Sequence, residues 1–306
     1  MRRYHRAYEE GKGDFARMWS FLKEDYAHRE HRFIWTNGRL GDFKFGLWRE
    51  PKYFPSFLRN NAQLWLNDFD ELIGFVLAEN CDSYFTVFAK FGHDFLYPEM
   101  LEWVKNHWGD RDGSLHTDVH EGHDTLIRAM EQAGFSSRRL AAITRQYEVS
   151  DLARIEPRLP SGYVVRDMKK HPDYEAKVAL NINAWSNRTD EVTLVDRLQH
   201  EYNREHPMYA PELDLSVIGP DGRHLASCQA FVDDDYSYAE IEKVCTHSDF
   251  RRLGLATAVI RECIKRLEQR GTKHAYITGL SPETQKLYGS FGTVSKSVNL
   301  HAYELD

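Results

Sequence analysis

The segment from Tyr238 to Arg270 constrains the fold most, because it joins a strand, a bend and an amphipathic helix without interruption. Tyr238–Thr246 is partly alternating and rich in strand-forming residues. The bend His247–Phe250 follows. Apolar residues then recur at helical spacing over Leu255–Leu267, with charged residues on the other face, and Gly271 ends the helix. A strand that leads directly into such a helix favours an α/β fold.

The first turn of this helix is predicted to bind phosphate. Gly254 and Ala256 are small, so an anion can approach the backbone closely. The first N–H groups of a helix lack intrahelical partners, and the helix dipole favours negative charge there. The predicted binding residues are Arg251, Arg252, Leu253, Gly254, Leu255, Ala256 and Thr257.

The same residues resemble a family motif. Arg251-x-x-Gly254-x-Ala256, placed after a strand, is similar to the Gln/Arg-x-x-Gly-x-Gly/Ala motif of the GNAT superfamily of acyl-CoA N-acyltransferases. The resemblance covers roughly residues 159–306. It implies a central mixed sheet with helices on both faces, and a coenzyme A pyrophosphate bound at the predicted turn.

A second family segment follows in the expected order. Ser281–Gly292 resembles the superfamily pattern Asn-x-x-Ala-x-x-Leu-Tyr-x-x-x-Gly-Phe, with Leu287, Tyr288 and Gly292 in register. The departures are Ser281 for Asn, Thr284 for Ala and Thr293 for Phe, which concern capping and packing. The resemblance implies that Tyr288 protonates the departing coenzyme A thiolate.

Two glutamates on the strand are the candidate general bases. Glu240 and Glu242 are two residues apart on a strand, so both point to one face. Glu240 lies eleven positions before Arg251, a spacing similar to that of the catalytic glutamate in the histone-acetylating members. A carboxylate beside the acceptor amine can remove its proton, directly or through a water. Glu240 is the preferred base, and Glu242 is the alternative.

The end of the strand is predicted to contact the acyl donor. Val244, Cys245 and Thr246 would diverge from the neighbouring strand and offer backbone N–H groups to the pantetheine arm and the thioester oxygen. Cys245 also allows a covalent route in which its thiol first takes the acyl group. A strand cysteine without an adjacent base is usually inert, so direct transfer is favoured.

The order of the elements predicts two tandem GNAT-like domains. They are a degenerate domain at residues 1–150, a Pro-rich and charged linker at 151–162, and a catalytic domain at 159–306. In the first copy Lys90–Phe95 replaces the phosphate-binding hexapeptide, and Met130 stands at the position of Tyr288. Its polar residues His116, Asp118, His120 and His123 resemble metal ligands but are interpreted as a polar strand end, so no metal is expected.

Composition limits the remaining possibilities. The chain has 306 residues, enough for about two domains. Its net charge of −7 argues against a general nucleic-acid surface. The charged amino terminus lacks the apolar run of a secretory signal, and no window approaches the ~18 apolar residues of a membrane span. Four cysteines without paired spacing indicate reduced thiols, so a cytoplasmic protein without a membrane partner is expected.

Taken together, the residues and the resemblance predict an N-acetyltransferase. Acetyl-CoA would be the co-substrate, and a primary amine of a small molecule or peptide would attack it directly in a ternary complex. The acceptor pocket is expected around residues 181–188, with Trp185, Tyr209 and Phe231 as candidate lining residues. Two alternatives remain, a transferase for longer acyl-CoA and a non-catalytic acyl-CoA-binding sensor. The identity of the acceptor is undefined, and an oligomer is possible.

Overall fold

The computed structural model describes residues 3–26, 28, 35–48, 50–186 and 192–305. The chain divides into two compact units, Met1–Ile143 with Val298–Asp306, and Thr144–Ser297. The division therefore differs from the predicted boundary at 151–162, which lies inside the second unit. Val149 and Leu152, at the start of that segment, are buried in the same apolar cluster as Val259. The prolines and charged residues of the predicted linker follow a buried helical turn, and the composition of the segment did not indicate that turn.

The elements alternate along the chain as in an α/β protein. The strands are β1 Arg3–Ala7, β2 Ala62–Asn67, β3 Leu72–Leu77, β4 Thr86–Ala89, β5 His116–His120, β6 Phe135–Glu148, β7 Val164–Asp167, β8 Asp214–Ile218, β9 His224–Asp233, β10 Tyr238–Thr246, β11 His274–Gly279 and β12 Lys296–Leu305. The helices are α1 Asp14–Asp25, α2 Asn37–Phe45, α3 Phe57–Asn61, α4 Tyr97–Trp108, α5 Asp124–Gln132, α6 Val149–Leu152, α7 Tyr174–Ser186, α8 Leu194–Asn203, α9 Leu255–Arg270 and α10 Pro282–Gly289. Within these described elements, no helix is sufficiently long and apolar to traverse a lipid bilayer.

The first unit contains an antiparallel sheet in the order β1-β2-β3-β4. Strands β2, β3 and β4 are completely buried. The carboxy-terminal strand β12 returns to this unit and pairs with β5, from Leu300 opposite His120 to Glu304 opposite His116. Cys81 is exposed between β3 and β4, in the left-handed region at φ 61°.

The second unit is built on the strand order β11-β10-β9-β8-β7, with the end of β6 beside β11. Strands β7 to β10 are antiparallel neighbours, whereas β10 and β11 run parallel. Helix α9 connects these two parallel strands. From β7 to β12 the elements follow the order strand, two helices, three strands, helix, strand, helix and strand.

The two faces of this second sheet differ in polarity. Ala226, Ala230 and Ile241 point to one face and belong to the apolar cluster that includes Val259 and Ile264 of α9. Because side chains alternate along a strand, the intervening residues point to the other face. These include Asp214, Gln229 and Glu242, which are opposite one another on β8, β9 and β10. One face therefore supplies the core, and the other presents polar groups beside α7 and α8.

Candidate active site

The parallel strands β10 and β11 pair only at their beginnings. Tyr238 is opposite His274, Ala239 is opposite Ala275, and Glu240 is opposite Tyr276; among the described residues no later pair is formed. Both strands continue beyond this point, so their remaining edges diverge. Alternate backbone N–H and C=O groups of β10 face this gap without a strand partner. This is the divergence that the sequence predicts for Val244, Cys245 and Thr246.

A β-bulge lies next to the gap. The pairing of β10 with β9 shifts between Glu242 and Cys245, and Lys243 has φ 52° in the left-handed region. Such bulges bend a strand and redirect its side chains, and they are frequent near active sites. The bulge places Glu242 and Cys245 on the same polar face although they are three residues apart, because Cys245 pairs with Ser227.

The predicted phosphate-binding turn is present at the start of α9. Gly254 is the N-cap with φ 78°, and no side chain in the described part of the chain caps the first turn. The N–H groups of the first turn therefore remain available to a ligand. A Cβ at Gly254 would meet open space, so the glycine is required by its backbone conformation and not by crowding. The positive end of the dipole of α9, a helix of sixteen residues, lies at this same first turn.

The loop before α9 is held against α7. The Ser248 N–H donates to Asn183 Oδ1 at 2.8 Å, and the Arg251 guanidinium donates to the Ala184 carbonyl at 3.2 Å. Arg251, Arg252 and Leu253 are exposed. Both arginines can therefore reach an anion at the helix start. The residues from Arg251 to Thr257 form a continuous segment that leads from a turn into the first residues of α9. The donor set of free N–H groups and guanidinium groups fits a pyrophosphate.

Glu240 and Glu242 occupy different positions relative to the gap. Glu240 is only 7% exposed and forms the last β10–β11 pair, opposite Tyr276. Glu242 is half-buried, lies beyond the last pair, and acts electrostatically on Tyr288. Both carboxylates share the polar face of β10, as the sequence predicts.

Tyr288 lies near the end of α10 and is 5% exposed. Burial raises its pKa above the ordinary value, and the negative charge of Glu242 raises it further. The hydroxyl therefore stays protonated at neutral pH, as a general acid requires. The Tyr147 hydroxyl donates to the Tyr288 carbonyl, which fixes the backbone at this position.

The departures from the family pattern around Tyr288 have structural explanations. Ser281 and Thr284 form a capping box, in which Ser281 Oγ accepts from the Thr284 N–H and Thr284 Oγ1 accepts from the Ser281 N–H. Ser281 thus supplies the cap expected of Asn. Gly292 is required because a Cβ there would lie 2.0 Å from Leu152 Cδ2.

Cys245 is buried, and among the described residues its thiol contacts Ser227 and Asn181, neither of which is a base. Its Sγ lies 3.2 Å from Ser227 Oγ and 3.5 Å from Asn181 Oδ1. Burial raises the pKa of the thiol, so it stays protonated and weakly nucleophilic. This environment favours the direct-transfer route over a covalent intermediate.

The corresponding region of the first unit is organised differently. The N–H of Phe91 donates to Asp25 Oδ1 at 2.8 Å, and Lys90 pairs with Glu24 at 2.9 Å. Acidic side chains of α1 therefore occupy the segment that would have to accept a phosphate. Met130 is fully buried in the core of this unit.

The histidines of the first unit have local structural roles. His123 caps α5 by accepting from the Leu126 N–H, and His120 Nδ1 accepts from the Gly122 N–H at 2.8 Å. His116 Nδ1 lies 2.9 Å from the Ser114 carbonyl. Within the described residues, no group of three metal-ligating side chains is suitably placed for a metal ion.

The candidate acceptor residues differ in burial and in their contacts. Trp185 is exposed at the end of α7, Tyr209 donates to Asp214 Oδ2 at 3.0 Å, and Phe231 is buried against the His206 ring at 4.1 Å. Residues 187 and 188, at the end of the predicted acceptor segment, lie outside the described residues.

Sequence reasoning did not identify the polar groups near α8. Lys177 forms a buried ion pair with Asp214 at 2.6 Å. His200 lies close enough for the charges of both residues to affect its pKa. Burial, followed by the effect of neighbouring cations, lowers the pKa of His200 to about 4. The signal that could have identified this region is the unusual number of polar residues on buried strands, such as Asp214, Ser227 and Gln229.

His200 makes the stability of the protein depend on pH. Its pKa falls from an ordinary 6.5 to about 4 on folding, so between these values the unfolded chain binds a proton that the folded chain does not. The free energy of unfolding is therefore expected to fall as the pH drops from 6.5 towards 4. In His200→Gln the decrease in the free energy of unfolding between pH 6.5 and pH 4 should be smaller than in the wild type by up to ~3 kcal/mol. Urea unfolding at pH 7.5, 6, 5 and 4 measures it.

The exposed His171 provides the control for this measurement. His171→Gln should leave the pH dependence of the wild type unchanged. If the wild type and His200→Gln lose stability in parallel on acidification, the assignment to His200 is wrong.

Comparison with known proteins agrees with this geometry. The profile of the Acetyltransferase (GNAT) family matches residues 180–292. A tandem GNAT protein from the clavulanic acid biosynthesis pathway has a TM-score of 0.67 at 11% identity, with 100% of this chain and 99% of that chain covered. A GCN5-related N-acetyltransferase from Sphaerobacter thermophilus has a TM-score of 0.62 at 16% identity, with coverage of 99% and 96%. A GNAT-family acetyltransferase from Colwellia psychrerythraea has a TM-score of 0.61 at 12% identity, with coverage of 99% and 100%. No curated protein matches.

The class of protein follows from these observations. Residues 180–292, within the second unit, match the model of the Acetyltransferase (GNAT) family, and the chain as a whole has the tandem GNAT fold. The match to this family model supports acyl-CoA-dependent acyltransferase activity in general.

Proposed function

We propose that the protein is an N-acetyltransferase with one working site, in the second unit, that moves an acetyl group from acetyl-CoA to a primary amine. The observation that carries the proposal is the gap between β10 and β11, with Glu240 at its narrow end. The free first turn of α9 follows β10 directly, and Glu242 and Tyr288 influence each other electrostatically. These are the groups that transfer from a thioester to an amine requires.

The N–H groups from Arg252 to Thr257 would hold the pyrophosphate, with Arg251 beside it. The diverging edge of β10, from Val244 to Thr246, would offer N–H groups to the pantetheine arm and the thioester carbonyl. Both elements are positioned by the protein itself, because Asn183 anchors the loop and β9 holds the other edge of β10. We therefore expect the donor to bind without rearrangement of the backbone.

The chemistry proposed is direct attack. Glu240 takes a proton from the acceptor ammonium, and the neutral amine attacks the thioester carbonyl. The C–N bond forms as the C–S bond breaks, and Tyr288 gives its proton to the sulfur. The amide nitrogen loses its second proton to solvent, and solvent returns a proton to the Tyr288 oxygen. Glu242 is the alternative base, and its negative charge helps to keep the Tyr288 hydroxyl protonated before transfer.

Turnover of acetyl-CoA on a panel of primary amines tests the proposal, with release of free thiol as the readout. The expected result is thiol release that depends on an amine and is strongly reduced in Glu240→Gln. Acyl-CoA binding without turnover on any amine would instead favour a sensor. Faster turnover of a longer acyl-CoA would correct the identity of the donor.

Cys245→Ala separates direct transfer from a covalent route. Because the buried thiol is protonated and its neighbours Ser227 and Asn181 are not bases, the variant should keep kcat within about tenfold of the wild type. The measurement is the steady-state rate together with mass spectrometry of the protein after incubation with acetyl-CoA alone. Acetylation of Cys245 in the wild type, coupled with a loss of turnover in the variant, would establish the covalent route instead.

A further inference from the structure

Helix α8 is oriented with its apolar side towards solvent. Leu194 is 68% exposed and Leu198 is 52% exposed, and no described residue of the helix is fully buried. Its polar residues face the protein instead. Asn203 Oδ1 accepts from Lys243 Nζ of β10 at 2.8 Å, and the His200 ring lies 5.4 Å from that of Tyr174 on α7. A surface helix normally buries its apolar side, so this orientation indicates a polar space beneath α8.

The floor of that space is the polar face of the sheet. Asp214, Gln229 and Glu242 lie side by side on β8, β9 and β10. Asp214 is satisfied, because Lys177 donates to Oδ1 at 2.6 Å and Tyr209 donates to Oδ2 at 3.0 Å. Gln229 is the central member of the row and is only 3% exposed.

Three buried nitrogen atoms on the elements around this space have no hydrogen-bond partner among the described residues. They are Gln229 Nε2, His200 Nε2 and Arg204 Nε. We call the space lined by these three residues the α8 crevice. Buried donors are nearly always paired, because leaving one unpaired costs about 1–3 kcal/mol. Gln229 Nε2 and Arg204 Nε can only donate, and His200 Nε2 donates in one tautomer of the neutral ring, so the three atoms indicate a ligand that supplies oxygen acceptors.

The charges around the crevice favour a negative ligand. Lys177, Lys243 and Arg204 all act on the His200 ring as cations, and Asp214 is the opposing carboxylate. Asp214 is already neutralised by its ion pair with Lys177. The potential at the crevice is therefore positive, while Glu240 and Glu242 make the adjacent part of the same face negative.

We propose that the α8 crevice binds a carboxylate or phosphate group of the acceptor, so that the acceptor is a small amine that also carries a negatively charged oxygen group. This inference rests on the proposed function, since it places the acceptor amine at Glu240 and Glu242. Gln229 is directly opposite Glu242, and neighbouring strands are ~5 Å apart. The amine and the oxygen group are therefore separated by only a few bonds, as in a compact amino acid or amino phosphate.

Matched pairs of ligands test the inference by binding, independently of turnover. The pairs are β-alanine with β-alaninamide, and O-phosphoethanolamine with ethanolamine, each titrated by ligand-observed NMR with and without coenzyme A. In at least one pair, the member that carries the carboxylate or phosphate is expected to bind ten times more tightly than the counterpart that lacks this group. Which pair shows the preference distinguishes a carboxylate from a phosphate. In Arg204→Gln and in Gln229→Leu the preference should fall below twofold.

Arg197→Gln is the matched control, because Arg197 lies on the same helix but pairs with the exposed Glu175 at 2.8 Å. It should keep the full preference. The inference is overturned if both pairs bind equally to the wild type, or if Arg204→Gln and Gln229→Leu retain the preference. Coenzyme A affinity of each variant, measured by calorimetry, verifies folding. Failure of the proposed function would appear separately, as no coenzyme A binding by the wild type.

Discussion

Tyr288→Phe is expected to lower kcat by about 10²–10⁴-fold while the affinity for acetyl-CoA stays within about twofold, because a positioned general acid contributes a factor of this size. The hydroxyl has a raised pKa, caused by burial and by Glu242, so it carries its proton throughout the usual assay range. Its loss leaves the departing thiolate without a proton donor. Stopped-flow or steady-state thiol release gives kcat, and calorimetry gives the affinity.

The pH profile adds a second readout for Tyr288. Because its pKa is raised, the wild type should show no loss of kcat from deprotonation of this group between pH 7 and 9. Tyr236→Phe, at an exposed tyrosine in the β9–β10 turn, is the control and should leave kcat unchanged. An unchanged kcat in Tyr288→Phe would show that water or another group protonates the thiolate.

The parts of the site that depend on local sequence could be predicted. The turn before α9 was predicted because Gly254 and the helical spacing after Leu255 are both local signals, and the structure places the N-cap at Gly254. The divergence of β10 from β11 was also predicted, and the pairs formed end at Glu240. The role of each residue in binding and catalysis stays a prediction.

The parts that depend on distant contacts could not be predicted. Strand β12 pairs with β5, which lies far away in the sequence, so the last residues join the first unit and not the second. Val149 and Leu152 were expected next to a linker, but they belong to a core that the sequence around them does not indicate. Amphipathic periodicity shows which side of a helix is apolar and leaves open whether that side is buried.

Helix α8 illustrates this last point. Its leucines at 194 and 198 would ordinarily be assigned to the core, yet they are exposed. The polar row on β8, β9 and β10 explains the orientation, because Gln229 and Glu242 present no apolar surface for leucines to cover. The proposed acceptor side of the site therefore depends on the pairing of three strands and the position of a helix. No single one of these elements indicates by its own sequence what the acceptor is.

Gly254→Glu is expected to weaken coenzyme A binding at least about 100-fold, a loss of ~2.7 kcal/mol. The φ of 78° at Gly254 is strained for any residue with a side chain, and the new carboxylate would lie at the helix end where the pyrophosphate is expected. Calorimetry should find one coenzyme A per wild-type chain, because Asp25 already occupies the N–H of Phe91 in the first unit.

Gly271→Glu separates backbone strain from blockage of the site. Gly271 has φ 88°, and a Cβ there would also meet open space. It lies at the opposite end of α9, ~24 Å away for a helix of sixteen residues. The control should lose stability to a similar or greater extent, since a negative charge is unfavourable at a helix carboxy terminus, and yet bind coenzyme A like the wild type. Equal affinity in both variants would mean that the first turn of α9 does not bind the diphosphate, and the proposed donor site would have to be abandoned.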